Sequence, residues 1–446
     1  MKLGRRIKRN QSRSNAASGV IAVRIAVILF LTHSLKVCVA QELPGTTLRL
    51  CEQADELVGE GKPLTGLIVL ESERDKDPLL QQQLAVLRSC VGDWRGAHQA
   101  MDTLTRKPPQ KAVPFSESVV CVSALDAIAE QARDHRIVIV NEAHHVPQHR
   151  AFILRLLPKL RAQGYKYYAA EALVEDDVQE LKTRGYATRG TGGYMNEPVF
   201  GDVIREALAL GLTPIAYEDT SGTSLADQVD DINSRETEQC RNLTNRLFSK
   251  EPDARVIVHV GYSHAMERPE KAKDGREIVW LAARLARATG SDPLTIDQTL
   301  HTERGDATLA TPQWRQAVKN GWLDRPVVLR HGDGAFDVTG SVAGSVDMQV
   351  LHPPTKIIEG RPDWLVTATG RVAVSIPDEV RAESVRMLVQ AFIQHESDDA
   401  IPFDQALLMP GEPRPKLLLK PGEYRMVIQD ERGMEILRRP LVIASN

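Results

Sequence analysis

The sequence predicts an α/β protein with a mainly parallel sheet flanked by helices, a small helical cap before it and a β-rich region after it. Between residues 113 and 298, short apolar runs alternate with amphipathic helical stripes. Such alternation favours right-handed crossovers and a parallel sheet. At 446 residues the chain also exceeds the usual size of one hydrophobic core, so several domains are expected.

Composition restricts the class of protein. A hydrophobic fraction of 42% and a charged fraction of 26% are typical of a globular chain. The formal net charge of -3 lacks the positive excess of a nucleic-acid binder, so we expect no nucleic-acid partner. The expected partner is a small-molecule or peptide substrate of unknown identity.

The N-terminal segment resembles an export signal. Basic residues cluster over 2–13, and an apolar run over 19–40 ends in small residues before Gln41. This order predicts a signal peptide over 1–40, cleaved after Ala40, and a periplasmic or secreted protein. The apolar core is too short for a membrane span and is interrupted by Arg24, His33 and Lys36. A retained anchor is the alternative.

Residues 41–112 are predicted to form the helical cap. Apolar residues recur there at helical spacing, and residues 87–97 read as a helix, a Gly92-Asp93 turn and a second helix. This unit resembles one tetratricopeptide-like hairpin, and a protein partner could bind through it. A proline-containing break at 107–109 ends the cap.

Four cysteines remain after the predicted cleavage. An even number in an exported chain permits two disulfides, with three alternative pairings. The alternative is that some of them are small buried hydrophobic residues. They are Cys51, Cys90, Cys121 and Cys240.

The central domain is predicted to span residues 113–365. Its buried-strand candidates lie at 136–140, 165–170, 213–217 and 255–260, and further strands are predicted at 327–329, 336–338 and 347–351. Residues 366–446 are predicted to form a small β-sandwich. Alternation over 385–393 and a hairpin that joins 424–428 to 435–438 are the observations behind it.

Polar residues follow each of the first four strand candidates. Glu142 and His144 follow the first, Glu171 the second, Glu218 and Asp219 the third, and His264 the fourth. The carboxyl ends of parallel strands meet at one edge of the sheet, where ligands bind. We therefore expect Glu142, His144, Glu171 and His264 to meet in one cleft.

Each of these residues also has a structural alternative. Glu142 could cap a helix, Glu171 could be a surface charge, and His264 could be a buried histidine bonded to a carbonyl. His259 lies within a strand, which favours a structural role. For His145, His149 and Asp219 the two readings stay open.

Four ordered motifs resemble the ChaN-like, erythromycin-esterase-like and Tiki/TraB superfamily. Residues 141–149 are similar to its Gly-Glu-x-His opening, and the ChaN branch adds Pro and His as at Pro147 and His149. Glu171 matches the Glu that ends its second strand, residues 233–236 resemble the Arg-containing start of a helix, and residues 260–264 resemble Gly-x-x-His. Asn141 replaces the first Gly, so we expect the turn to differ there.

The resemblance implies either hydrolysis or haem binding. In the first reading an ester or amide is hydrolysed, with His144 as base and Glu142, Glu171, His264 and Arg235 around the reacting group. Glu142, His144, Glu171 and His264 would suit a divalent metal such as zinc or manganese. In the second reading a His or Tyr ligates haem iron, as in ChaN. A third hypothesis is an inactive scaffold that mediates a protein interaction.

Overall fold

The computed structural model describes residues 45–73, 77–105, 115, 119–219 and 227–444. The predicted signal peptide at 1–40 and the proline-containing break at 107–109 lie outside these residues. Within the described ranges, no helix is long and apolar enough to cross a membrane.

The described helices and strands alternate through the middle of the chain. The helices are α1 Gly45–Gly59, α2 Pro63–Glu71, α3 Pro78–Cys90, α4 Trp94–Asp102, α5 Ala124–Gln131, α6 Pro147–Arg161, α7 Val178–Arg184, α8 Pro198–Ala209, α9 Gln228–Leu243, α10 Leu281–Thr289, α11 Pro312–Lys319 and α12 Asp363–Thr369. The strands are β1 Val120–Ser123, β2 Ile137–Glu142, β3 Tyr167–Ala170, β4 Thr213–Ala216, β5 Val256–Gly261, β6 Glu270–Lys271, β7 Glu277–Ile278, β8 Leu294–Asp297, β9 Val327–Arg330, β10 Met348–Gln349, β11 Ile357–Ile358, β12 Arg361–Pro362, β13 Val372–Val374, β14 Met387–Ile393, β15 Asp404–Leu408, β16 Leu417–Leu419, β17 Gly422–Asp430 and β18 Glu435–Ile443.

Six strands form the central sheet, in the order β10-β8-β2-β5-β3-β4. All neighbouring strands in it run parallel. The predicted parallel arrangement of the strands near residues 136, 166, 213 and 255 is therefore confirmed. Their carboxyl ends lie at one edge of the sheet, so the residues that follow them are neighbours in space.

Helices cover both faces of this sheet. Val138 and Val140 of β2 pack in one apolar cluster with residues of α5, α6 and α8. Ile137 and Ile139 pack in another with residues of α9 and α10. Because both faces are covered, β2 and β5 are buried at every position. This explains why these strands are apolar runs without alternation.

Of the three strands predicted after residue 320, two are present and one is not. β9 pairs antiparallel with β1, outside the central sheet, and Met348 and Gln349 add the edge strand β10 to that sheet. The strand predicted at 336–338 is wrong, since Phe336 makes only an isolated antiparallel bridge with Arg330. A single bridge does not extend into a ladder.

The C-terminal region is rich in antiparallel strands, as predicted. β15, β14, β17 and β18 form a four-stranded sheet, and β13 pairs with β16. The predicted hairpin is β17–β18, in which Ile428 faces Leu437. The blurred alternation in β14 has a packing cause. Leu388 packs with the N-terminal helices, whereas Val389 and Ala391 pack in the apolar cluster on the other face of the strand.

The N-terminal helices pack together and are capped by side chains. Asp77 accepts hydrogen bonds from the backbone N–H groups of Leu79 and Leu80, and Asp93 accepts one from Gly96. Such caps satisfy the free N–H groups of a helix start. Gly92 has φ +87°, which favours glycine at the predicted turn between α3 and α4.

Candidate functional site

Glu142, at the carboxyl end of β2, is fully buried and accepts hydrogen bonds from three residues. Arg150 donates two of them, from Nε to Oε2 at 2.7 Å and from Nη2 to Oε1 at 2.6 Å. His144 Nδ1 lies 2.8 Å from Oε1, and His259 Nε2 lies 2.9 Å from Oε2. Burial alone would raise the pKa of Glu142, but Arg150 and His259 hold it well below its usual value. Glu142 is therefore a permanent anion.

The bond to Glu142 determines the tautomer of His144. An anionic carboxylate needs a donor, so Nδ1 carries the proton and, in the neutral ring, Nε2 is an acceptor. None of the hydrogen bonds among the described residues uses Nε2. The ring lies against Tyr194, with centroids 3.9 Å apart, and edge-on to Tyr262 at 5.4 Å. His144 is thus an oriented base.

His259 continues this chain of bonds into the core. With Nε2 donating to Glu142, its Nδ1 accepts from the Tyr168 hydroxyl at 2.7 Å. Both residues are buried. The structural role predicted for His259 fits this position, because His259 orients the Glu142 carboxylate and does not bond to His144 itself.

Glu171 follows β3 and is the second buried carboxylate of the site. Its Oε1 accepts from Arg235 Nη2 at 2.7 Å, and its Oε2 accepts from the backbone N–H of Gly261 at 2.6 Å. The Tyr194 hydroxyl lies 3.4 Å from Oε2. Burial raises its pKa, yet His264 and Arg235 outweigh burial and hold it well below its usual value. Glu171 is also ionised at neutral pH.

Arg235 joins Glu171 to Glu218, the residue two positions after β4. Arg235 Nε donates to Glu218 Oε1 at 2.8 Å, and Nη2 donates to Oε2 at 2.5 Å. Gln239, one turn further along α9, donates to the same carboxylate at 3.0 Å. The interpretation of Arg235 as a helix start is wrong, because α9 begins at Gln228 and Arg235 lies within it. From this position the Arg235 guanidinium reaches Glu171 and Glu218 at the carboxyl ends of β3 and β4.

His264 lies between two carboxylates. Its Nδ1 is 2.7 Å from Glu236 Oε1, and its Nε2 is 3.4 Å from Glu171 Oε1. Burial alone would lower the pKa of His264, but Glu236 and Glu171 raise it to about 10. The two carboxylates therefore favour the protonated ring, although Arg235 Nη1 lies 3.3 Å from the same Nε2. Glu236 was not found by sequence reasoning.

The two parts of the site meet at Gly261, which pairs with Glu142 in the sheet register. A Cβ on Gly261 would lie 2.6 Å from His144 Nε2 and 3.2 Å from Glu171 Oε2. Both side chains thus border the same side of this glycine. Gly261 has ordinary extended backbone, so its role is close approach and not unusual torsion.

The residue after Gly261 is strained. Tyr262 has φ +35°, in the region that non-glycine residues rarely adopt. Its carbonyl accepts a hydrogen bond at 2.8 Å from Asn141 Nδ2, which also donates to Asp297 Oδ1 at 2.8 Å. Asn141, which replaces the Gly of the motif, lies inside β2, and its side chain ties the ends of β5 and β8 together. Backbone outliers of this kind cluster at functional sites.

The structure brings together all five sequence-predicted site residues. Glu142 contacts His144, Glu171 contacts Arg235 and His264, and Gly261 lies between the two groups. Sequence reasoning missed Arg150, Glu236, Tyr194 and Glu197, which accepts a hydrogen bond from Arg150 Nη1 at 3.0 Å. It noted Glu218 at the end of β4 but did not place it in the site. The one signal in the sequence was Arg150, a charged residue beside the apolar stripe of α6. The contacts of Glu218 and Glu236 depend on how α9 crosses the sheet.

The predicted metal ligands do not fit a divalent cation as they stand. Both oxygens of Glu142 are occupied by donors, and the Arg235 guanidinium lies on Glu171. Among the described residues, no group of three or more His, Cys, Asp or Glu side chains could hold a metal ion. The buried carboxylates have positively charged partners instead.

The four cysteines that the structure describes, Cys51, Cys90, Cys121 and Cys240, are free thiols and form no disulfide. Burial raises the pKa of Cys51 and of Cys90 to about 12, so both stay protonated at neutral pH. Cys51 and Cys90 thus match the alternative to disulfide formation, in which cysteines are small buried hydrophobic residues. None of the four contributes to the site just described.

No family model matches the chain, and no curated protein matches it. Among solved structures, it is similar to RRSP, a MARTX toxin effector domain from Vibrio vulnificus CMCP6, at 15% identity and TM-score 0.30, over 67% of this chain and 58% of that one. The C-terminal region of Pasteurella multocida toxin, described as having a thiol-protease like catalytic triad, aligns at 11% identity and TM-score 0.30, over 69% and 46%. A structure of bacterial protein toxins aligns at 15% identity and TM-score 0.29, over 46% and 43%. The chain spans less than two thirds of each of these proteins, and TM-scores of this size do not establish a shared fold.

Proposed function

We propose that this protein is an exported hydrolase of an ester or amide, related to the ChaN-like and erythromycin-esterase-like proteins. One observation carries the proposal: His144 is held by an ionised carboxylate through Nδ1, and its Nε2 lies beside Gly261 and Glu171. A carboxylate-oriented imidazole is the arrangement that general-base catalysis needs.

In the proposed reaction, His144 Nε2 takes a proton from a water molecule that attacks the substrate carbonyl. The imidazolium that forms is stabilised by Glu142, whose anionic state Arg150 maintains. The same proton is then given to the leaving alcohol or amine. No nucleophile from the protein is required, in keeping with the absence of a Gly-x-Ser-x-Gly motif from the sequence.

Glu171, Arg235 and His264 supply the electrostatics on the other side of Gly261. Glu171 Oε2 can orient the attacking water, because it borders the same side of Gly261 as His144. Arg235 and His264 are cations beside it. Preorganised positive charge of this kind stabilises the oxyanion of a tetrahedral intermediate.

The experiment is hydrolysis of a panel of esters and peptides by purified residues 41–446, compared with His144→Ala. We expect turnover to fall by about 100-fold or more in the variant, because general-base catalysis contributes on the order of 10²–10⁴. A control is His395→Ala, at an exposed position. Equal turnover by wild type and His144→Ala would reject the proposal and favour a scaffold.

Two further measurements separate the alternatives of metal and haem. Activity should survive chelation, since the oxygens of Glu142 already accept donors from Arg150. Loss of activity on chelation, with recovery in zinc or manganese, would support the metal-dependent alternative. A strong visible absorbance band in purified protein would favour haem binding over hydrolysis.

A further inference from the structure

A second polar group lies beside the proposed base, where the helical cap meets the site. It contains His98 of α4, His145 after β2 and Tyr262. Arg304 adjoins them, because the next residue, Gly305, lies against Gln99 and Asp102 of α4. The rings of His98 and His145 are 5.6 Å apart and nearly perpendicular. The Tyr262 hydroxyl is 3.4 Å from His145 Nδ1, and the Tyr262 ring is 5.4 Å from that of His144.

Several polar atoms in this group have no partner. His98 Nδ1 and His145 Nε2 are buried and make no hydrogen bond to any described residue. The His145 side chain is almost completely buried, with 2% of the residue exposed. Leaving such an atom unsatisfied costs about 1–3 kcal/mol. Native proteins keep few of them, so these two require an explanation.

Arg304 adds a positive charge that is poorly compensated. Within the described part of the chain its guanidinium makes one hydrogen bond, to Thr105 Oγ1 at 3.4 Å, and no ion pair. Burial lowers the pKa of Arg304, and the negative charge that most opposes this is Asp102. Burial raises the pKa of Asp102, and its Oδ2 already accepts the backbone N–H of Asp306 at 2.6 Å. The group thus combines a cation with unused imidazole nitrogens.

We propose that His98, His145, Tyr262 and Arg304 form a subsite that binds an anionic group of the substrate, a carboxylate or a phosphate, next to His144. A guanidinium and imidazole N–H groups are the donors that such oxygens accept. That the bound anion belongs to a substrate rests on the proposed function, whereas anion binding itself does not depend on hydrolysis. It would make the substrate an acidic ester or amide, and it gives the cap helix α4 a binding role.

The test is titration calorimetry of the purified full-length protein with inorganic phosphate and, separately, with succinate. The wild-type chain should bind at least one of them, and the anion that binds more tightly identifies the preferred group. Arg304→Gln should weaken binding by about tenfold or more, because a charge-assisted contact is lost. Arg287→Gln, at an exposed position on α10, is the matched control and should bind as wild type does.

Two more variants make each outcome decisive. His98→Ala reports on the subsite from the cap, and weakened binding there would support the inference even if Arg304→Gln fails to fold. His144→Ala should keep anion binding while it loses hydrolysis, which separates failure of the subsite from failure of the proposed activity. The inference is overturned if wild type binds neither anion, or if Arg304→Gln and His98→Ala both bind as tightly as wild type.

Discussion

Glu142 and His144 are two residues apart, yet their contributions to the molecule differ. Glu142 touches Arg150, His144 and His259 but not the space beside Gly261, so it is a positioning residue. His144 makes one polar side-chain contact, to Glu142, and its other nitrogen borders that space. Substitutions at the two positions should therefore separate stability from activity.

Glu142→Gln should destabilise the protein strongly. It removes the carboxylate that holds the buried Arg150 through two hydrogen bonds and leaves it only Glu197, 3.0 Å from Nη1. Breaking a buried ion pair costs about 3–5 kcal/mol. His144→Ala removes one hydrogen bond from a carboxylate that keeps its other donors, which should cost nearer about 1 kcal/mol. Urea denaturation measures both free energies of unfolding, with Glu423→Gln as an exposed control. Equal losses for the two site variants would contradict this assignment.

His264 should stay protonated through neutral pH. Its folded-state pKa is raised from 6.5 to about 10. A base with a raised pKa contributes stability that is fully present below about 6.5 and is lost as pH rises through about 10. NMR titration of the His264 ring would measure this directly. Titration of His264 near the ordinary pKa of a histidine would remove it as a source of positive charge.

Glu267 should give the opposite sign of pH dependence to that of an ordinary carboxylate. Burial first, and then the nearby Asp347, raise its pKa from 4.5 to about 7, although Thr295 donates a hydrogen bond to it. The folded state therefore binds more protons than the unfolded state in this window, so stability falls as pH rises from about 4.5 to about 7. Glu267→Gln should flatten that slope in denaturation midpoints. An unchanged slope would show that Glu267 titrates normally.

At the scale of elements, the ends of β2 and β5 form the site by direct pairing. Glu142 is paired with Gly261, so any side chain at 261 would point at the ring of His144. This close approach depends on register. A shift of one residue would reverse the facing of every side chain in the strand.

Gly261→Ala should therefore impair hydrolysis more than stability. The added Cβ lies 2.6 Å from His144 Nε2, and the ring must move to relieve the contact. A displacement of about 1 Å can cost on the order of 100-fold in rate. Gly332→Ala is a suitable control, because nothing lies within 4 Å of its added Cβ. Turnover equal to wild type in Gly261→Ala would place the reaction elsewhere.

The strand ends could be read from the sequence, whereas the residues that cross between elements could not. Apolar runs identified β2, β3, β4 and β5 within a few residues, and the rule for parallel sheets then placed Glu142, Glu171 and His264 together. Arg150 and Glu236 lie on helices, where spacing gives the buried face but not the strand end that the face covers. The strand predicted at 347–351 is present as the two-residue strand β10, but its parallel pairing with β8 at the edge of the sheet could not be derived from such a short run.

At the scale of the whole molecule, the first and last parts of the chain share a core. Leu388 of β14 packs in the apolar cluster of α1–α4. Arg386 Nη1 donates to Glu71 Oε2 at 2.7 Å, and Gln405 donates to the carbonyl of Cys90. The segments predicted as a cap at 41–112 and a β-domain at 366–446 thus pack against each other through apolar side chains.

Leu388→Ala should weaken both segments together. Truncation of a fully buried Leu costs about 2–5 kcal/mol, and the cavity here would lie between the helices and the sheet. Hydrogen exchange should show faster exchange in α1–α4 and in β14 and β17. Val385→Ala, at a partly exposed position, is the control. Faster exchange confined to the sheet would show that the helices are stable without it.

This shared core has a consequence for the order in which the protein folds during synthesis. Glu71 and Arg386 are 315 positions apart, which at ribosomal rates of about 5–20 residues per second is a delay of roughly 15–60 s. For that interval the leucines of α2 and α3 have no sheet to cover them. Exposed apolar helices of this kind are chaperone substrates, so we expect chaperones to bind the nascent chain over residues 45–102. Helices α1–α4, although made early, are then among the last elements to reach their final packing.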